Sequence, residues 1–171
     1  MTDMHREEVW NHLANEAKRR LSYDPTTGVM VWIAPRCKRF IGQEAGYVNK
    51  QGYLSIKIQE HLIQGHRVAW LLHHGEWPKY DIDHINGIRT DNRIENLRDV
   101  PRRVNRENLR RPMPKNKCGF LGVTKNIHSR RWAAKITVSG EVISLGSFDT
   151  PELAHAAYLE AKRSLHEGCS I

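Results

Sequence analysis

No two cysteines lie near each other in this chain: Cys37, Cys118 and Cys169 are scattered, and no Cys-x-x-Cys pair exists. A structural zinc knuckle or ribbon is therefore not expected, and an odd number of isolated cysteines reads as reduced thiols. Apolar runs are short. None approaches the roughly 18 residues that a membrane-spanning helix needs, and the opening MTDMHREEVW is too polar for a secretion signal. The expectation is a cytoplasmic protein with no membrane partner. No internal repeat and no low-complexity tract is visible.

Acidic residues are also in short supply. Against 27 Lys and Arg stand 19 Asp and Glu, a formal net charge of +8. Such a surplus favours a polyanionic partner, nucleic acid first, although ordinary solubility charge produces it too. Its distribution says more. Residues 102–117 hold Arg102, Arg103, Arg106, Arg110, Arg111, Lys115 and Lys117 against one acid, Glu107.

The 171 residues, 39% hydrophobic and 27% charged, suit a folded chain of one or two small domains. Val9, Leu13, Ala17 and Leu21 recur at helical spacing and predict an amphipathic helix over 3–21. A turn at Asp24–Gly28 leads into a short strand, Val29–Ile33. A second turn at Asn49–Gly52 precedes Tyr53–Ile58, whose apolar and polar residues alternate as in a half-buried strand. His66–His74 reads as a helix with Gly75 as its C-cap. Asn86-Gly87 between apolar residues predicts a hairpin, with Ile94–Val100 as the return strand. Pro101 suits a first helical position, and a helix over about 101–110 should follow. Arg111–Lys117 is basic, carries two prolines and cannot continue a helix. Beyond it, runs near 120–126, 131–138 and 141–147 read as strands, with a turn at Ser139-Gly140. Pro151–His166 reads as a helix with Leu153, Ala157 and Ala161 on one face.

Phosphodiester cleavage needs a base to take a proton from water, and something to neutralise charge on the phosphate and on the leaving oxygen. Histidine, with its near-neutral pKa, suits the first task; a divalent cation suits the second. Asp83-His84 puts an oxygen ligand beside a base, on opposite faces if the segment is a strand. The helix after Pro101 adds Asn105 and Asn108, oxygen donors that do not titrate. An Asp-His pair before Asn-Gly is equally what a hairpin flank with a surface histidine looks like. His73 and His74 read as helix-surface or packing residues, and Trp10, Trp32, Trp70 and Trp77 as core.

The succession His66–Trp70, Asp83–Gly87, Asp91–Arg98 and Asn105–Asn108 resembles the HNH endonucleases, especially those of phages and mobile introns, the homing endonucleases among them. The resemblance covers roughly residues 20–110. It implies a ββα-metal core, about 66–110, in which a hairpin and a helix grip one divalent ion. It implies that Asp83 is a metal ligand, His84 the general base, Asn96 a brace of the hairpin loop that orients His84, and Asn105 the second ligand. Asparagine at that last position, where the name-giving pattern has histidine, occurs in some intron-encoded members. Carboxylate and amide oxygens favour Mg2+ or Mn2+. Arg67 is a candidate phosphate contact.

Residues 118–166 resemble a second family, the plant ethylene-response-factor (Apetala-two) DNA-binding domain. The matching residues are Gly119–Val123, Arg131–Ile136, Leu145–Phe148 and Pro151–Ala154 through Ala157-Tyr158. That likeness implies a three-stranded antiparallel sheet with one packed helix, the sheet lying in the DNA major groove. Several base-contacting positions differ here, at Leu121, Thr124, Asn126 and Ser144, so the plant target sequence is not carried over. Candidate DNA contacts are Lys125, Arg130, Arg131, Lys135 and Thr137 on the sheet, and Arg102, Arg103 and Arg106 before it; Trp132 reads as core.

The expected fold is thus α+β: an HNH nuclease domain at 1–110, a basic linker at 111–117 and an Apetala-two-like domain at 118–171. The expected function is a metal-dependent endonuclease or nickase acting on double-stranded DNA, in a bacterial host cell if phage-encoded. The alternative is a catalytically inactive DNA-binding regulator built from the same modules. A monomer would nick and a homodimer could cut both strands; the sequence leaves both open, together with the target site and the biological role.

Overall fold

The computed structural model describes residues 3–112, 116–127 and 129–170. Met113–Lys115 of the expected linker, including Lys115 of the basic run, lie outside the described residues. The fold is α+β, and it divides into two compact units, Met1–Val100 and Pro101–Ile171.

In the first unit, α1 (Asp3–Arg20) runs into β1 (Leu21–Tyr23), which pairs antiparallel with β2 (Met30–Trp32). Lys18, Arg19 and Arg20 close the helix, where cations suit its negative end. Leu13, Ala17 and Leu21 are buried as the helical spacing predicts, and Ala14 joins them. A second sheet orders β3 (Tyr47–Val48), β4 (Leu54–Ile58) and β5 (His61–Gln64), all antiparallel. Helix α2 (Gly65–His74) ends as expected at Gly75, whose φ of 84° is the left-handed cap. Its Val68, Ala69 and Leu71 pack into one core with Ile56, Ile58, Ile63, Leu13 and Met30. Trp10, Trp32, Trp70 and Trp77 are half-buried against that core, in line with their reading as core residues, while His73 and His74 are exposed.

The hairpin forms, with a longer connection than a tight turn. β6 (Asp81–His84) and β7 (Leu97–Val100) pair antiparallel, the latter within the expected return strand, and Asn86-Gly87 is one part of what joins them. The strands stop at His84 and Leu97, and a loop, 85–96, joins them. Asn86 is drawn into that loop: its Nδ2 donates to Asp91 (2.7 Å) and its Oδ1 accepts from the Ile88 amide (2.8 Å). A side chain closing local turns in this way competes with a two-residue hairpin.

The loop is tied to the Asp24–Gly28 turn. Tyr23 donates its hydroxyl to the Asn92 carbonyl (2.8 Å), and the Ile94 amide donates to the Pro25 carbonyl (3.1 Å). Gly28 sits against the loop with φ 77°; a Cβ there would come within 2.6 Å of the Arg93 nitrogen.

In the second unit, α3 (Arg102–Glu107) is shorter than expected, and Pro101 precedes it as N-cap rather than opening it. β8 (Val123–Lys125), β9 (Trp132–Val138) and β10 (Glu141–Phe148) form an antiparallel sheet in the order β10-β9-β8, turning at Ser139-Gly140 as expected. Helix α4 (Pro151–Leu165) is capped by Thr150, whose hydroxyl accepts from the Leu153 amide. The helix buries Ala154, Tyr158 and Lys162, one residue around from the expected face; Leu153 is 54% exposed. Small Ala154 lets the helix approach Val123 and Ala134 closely. The fully buried Lys162 runs its aliphatic stem through the interior and donates to the Leu109 carbonyl. Trp132 is half-buried against this core, and Cys37, Cys118 and Cys169 form no disulfide among the described residues.

Gly28→Ala combines a disfavoured backbone angle with a backbone clash. It is expected to cost about 1–3 kcal/mol, read as a fall in the urea midpoint. An unchanged midpoint would contradict the pinning of the 85–96 loop by this turn.

Candidate active site

The β6–β7 register sets Asp83 opposite Arg98 and His84 opposite Leu97. Alternation sends the two catalytic candidates to opposite faces. On the core side, Ile82 and Leu97 are buried, and His84 lies among aromatic and imidazole rings. The His66 ring meets His84 edge-on at 5.1 Å between centroids, and Tyr53 lies 5.4 Å from His66 and 6.0 Å from His84.

His84 is 5% exposed, and burial pulls its pKa below the ordinary histidine value; its contact with Asn92 works in the opposite direction. The imidazole is therefore neutral at pH 7, the form a general base requires. Asn92 Oδ1 stands 3.4 Å from His84 Nε2, while Asn92 Nδ2 donates to the Thr90 carbonyl. An amide oxygen only accepts, so in this long contact the ring nitrogen would be the donor. His66 is 5% exposed, and its Nδ1 has no hydrogen-bond partner among the described residues. Burial first, then His84 and Arg67, push His66 down to about 3.

Asn96 holds the loop from within. Its Oδ1 accepts from the Asn86 amide (2.9 Å), its Nδ2 donates to the Asp91 carbonyl (2.8 Å), and its carbonyl accepts from the Ile85 amide (2.9 Å). Asp91 is clamped by Arg93 and receives Asn86; these contacts, Arg93 foremost, hold its carboxyl down at about 2.

On the other face, Asp83 is 6% exposed and accepts two bonds at one oxygen from Arg98, from Nε at 2.9 Å and Nη2 at 2.7 Å. Among the described residues, no group of three or more His, Cys, Asp and Glu could hold a metal ion. The donor chemistry still fits a hard cation, which takes one or two protein oxygens and fills the rest of its shell with water. Asp83 offers such an oxygen in the first unit. Asn105, half-buried on α3, offers one in the second. Asn108 is buried and receives the Ser170 hydroxyl, so of the two asparagines it is the one committed to the interior of its unit.

Residues 64–107 match the family model of the HNH endonucleases. The match runs from the last residue of β5 through the last of α3 and takes in His66, Asp83, His84, Asn96 and Asn105. Such a domain implies nuclease activity on DNA in general. No curated protein and no solved structure matches the chain. No described helix is long and apolar enough to cross a membrane.

The remaining candidates divide between the units. Arg67, on α2, donates to the Tyr80 carbonyl at 3.2 Å. In the second unit, Arg102, Arg103 and Arg106 of α3 line one cleft of about 680 Å³ with Lys135 and Thr137 of β9. Two separate sequence candidates, the basic run and the sheet, thus converge. Within the cleft Arg103 is ion-paired to Glu107 (2.7 Å) and Glu167 (3.1 Å), so its charge is already balanced. Lys125 lies over the Trp132 ring, Arg131 pairs with Asp149 at 3.2 Å, and Arg130 is exposed.

Sequence reasoning missed Asn92 and Arg98 as partners of the site and assigned no role to His66. The position of His66 just ahead of the motif was the available signal. Arg98 lies in the expected return strand, but the sequence gives no register that sets it opposite Asp83.

The folded-state pKa of His66 lies below the ordinary value of 6.5. Its contribution to stability is therefore full above about 6.5 and is lost as pH falls toward about 3, by up to about 1.4 kcal/mol per pH unit. Urea unfolding between pH 7 and 4.5 should show this loss, and His66→Gln should flatten it. An identical slope in the variant would contradict a buried neutral His66.

Proposed function

We propose that this chain is a metal-dependent DNA endonuclease or nickase whose general base is His84. The observation that carries the reading is a buried, neutral histidine at the end of β6, beside the carboxylate of Asp83 and inside the segment matching the HNH endonucleases. In this reading the neutral imidazole of His84 takes a proton from water, the resulting hydroxide attacks phosphorus, and the bond to the 3′ oxygen breaks. Asn92 holds the imidazole tautomer, and Asn96 keeps the 85–96 loop closed so that His84 stays oriented. Asp83 and Asn105 are the ligands for one divalent cation, Mg2+ or Mn2+, which would neutralise charge on the phosphate and the leaving oxygen.

The cleft of the second unit is proposed to follow the DNA backbone through Arg102, Arg106 and Lys135. Arg67, Arg103, Lys125, Arg130, Arg131 and Thr137 are further candidate contacts. The likeness of 118–166 to the plant DNA-binding domains supports a reader that adds base recognition to a nuclease whose own contacts are mainly to phosphate. Phage origin and a mobile-element role belong to the same proposal. The Asp83–Arg98 ion pair favours a second reading, an inactive DNA-binding regulator, because in the free chain the carboxylate already has a cationic partner.

Plasmid DNA with the purified protein and Mg2+ or Mn2+ should be nicked or linearised. His84→Ala should slow cleavage by about 10²–10⁴-fold, the usual contribution of a general base, while a gel shift still shows DNA binding. Undiminished cleavage by that variant would sink the mechanism. Replacing Arg106 or Lys135 by Ala should lower the slope of log affinity against log salt by about 0.9 for each phosphate no longer neutralised; an unchanged slope would take the cleft out of the DNA path.

A further inference from the structure

The face of the β6–β7 hairpin that carries Asp83 also carries Arg98, directly across the strands. Both Nε and Nη2 of the guanidinium reach the same carboxylate oxygen, and the two side chains are 8% and 25% exposed. The two arginines of the adjoining loop are engaged elsewhere, Arg93 with Asp91 and Glu95 and Arg89 with the Gln51 carbonyl and the Tyr53 ring.

We propose that Arg98 is a positioning residue that makes cation loading at Asp83 depend on DNA. The proposal rests on the reading of Asp83 as a metal ligand. A guanidinium and a divalent cation on one carboxylate repel each other across a few ångströms, and little water is there to screen them. In the DNA-free protein, Arg98 therefore weakens cation binding. A phosphodiester is the anion best able to draw it away, because the planar fork of arginine fits phosphate as well as carboxylate. DNA backbone at this face takes the guanidinium, Asp83 is released to the cation, and Arg98 neutralises phosphate charge. Cation and DNA then bind with positive coupling, and each tightens the other by the same factor. The Asp83–Arg98 pair, which on its own favours an inactive chain, becomes the resting state of an active one.

The test is a Mn2+ titration of the full-length protein without DNA, following free Mn2+ by electron paramagnetic resonance. Arg98→Gln should bind Mn2+ about tenfold more tightly than the unaltered protein, within the usual range of site–site coupling. Arg98→Lys keeps the charge and the stem but loses the fork, and should give a smaller rise; it also guards against a Gln variant that fails to fold. A purely structural role for Arg98 would lower cation affinity rather than raise it. Asp83→Asn should abolish the binding. If neither Arg98 variant binds more tightly while Asp83→Asn still removes the site, the gating idea is overturned and Asp83 stands as ligand. If Asp83→Asn leaves Mn2+ binding unchanged, the ligand assignment fails and takes the gate with it.

Discussion

The pairing of β6 with β7 is the constraint on which the candidate site depends. Because side chains alternate along a strand, this one register sends Asp83 and His84 to opposite faces of the hairpin. His84 is placed against the core, where burial keeps it neutral; Asp83 is placed where a cation, Arg98 in the free chain, sits on its carboxylate. Shifting the register by one residue would exchange the two environments and put a carboxylate among the rings of His66 and Tyr53.

The 85–96 loop matters because it holds the partners that strands cannot supply. Asn92 reaches His84 from it, and Asn86, Asp91 and Asn96 close it through side-chain bonds to its own backbone. The Tyr23 hydroxyl and the packing of Gly28 fasten it from outside. Asn92 and Asn96 are polar groups buried with partners, the condition under which burial is tolerable. His66 Nδ1 breaks that rule beside the base, which marks this pocket as a place where packing alone does not explain the residue chosen.

How much of this was legible in the sequence differs by element. Helix α2 with its Gly75 cap, the three strands and helix of the second unit, and the Ser139-Gly140 turn rest on strong local signals, and the structure has them. The short strands β1, β3 and β5 were not read, because two to four residues carry too little periodicity. The Asn86-Gly87 signal pointed to the hairpin and Ile94–Val100 to its return strand, but neither fixes a register, so the pairing of Asp83 with Arg98 is visible only in the structure. The buried face of α4 was missed by one residue, because Lys162 does not advertise burial: its amine finds the Leu109 carbonyl only in the folded unit. Asp83, His84, Asn96 and Asn105 were named through resemblance. The match at 64–107 covers them without testing the role of any one.

The central claim is that His84 acts as a base from a neutral resting state. The most direct test is the pH dependence of kcat/KM for DNA cleavage at fixed Mg2+, which reports the essential groups of the free enzyme. With a pKa held below the ordinary 6.5 by burial, the rate should stay level from neutral pH down past 6.5 and fall only at lower pH, with that acid limb missing from the residual activity of His84→Ala. An acid limb centred above 6.5, or one that persists without His84, would contradict the account.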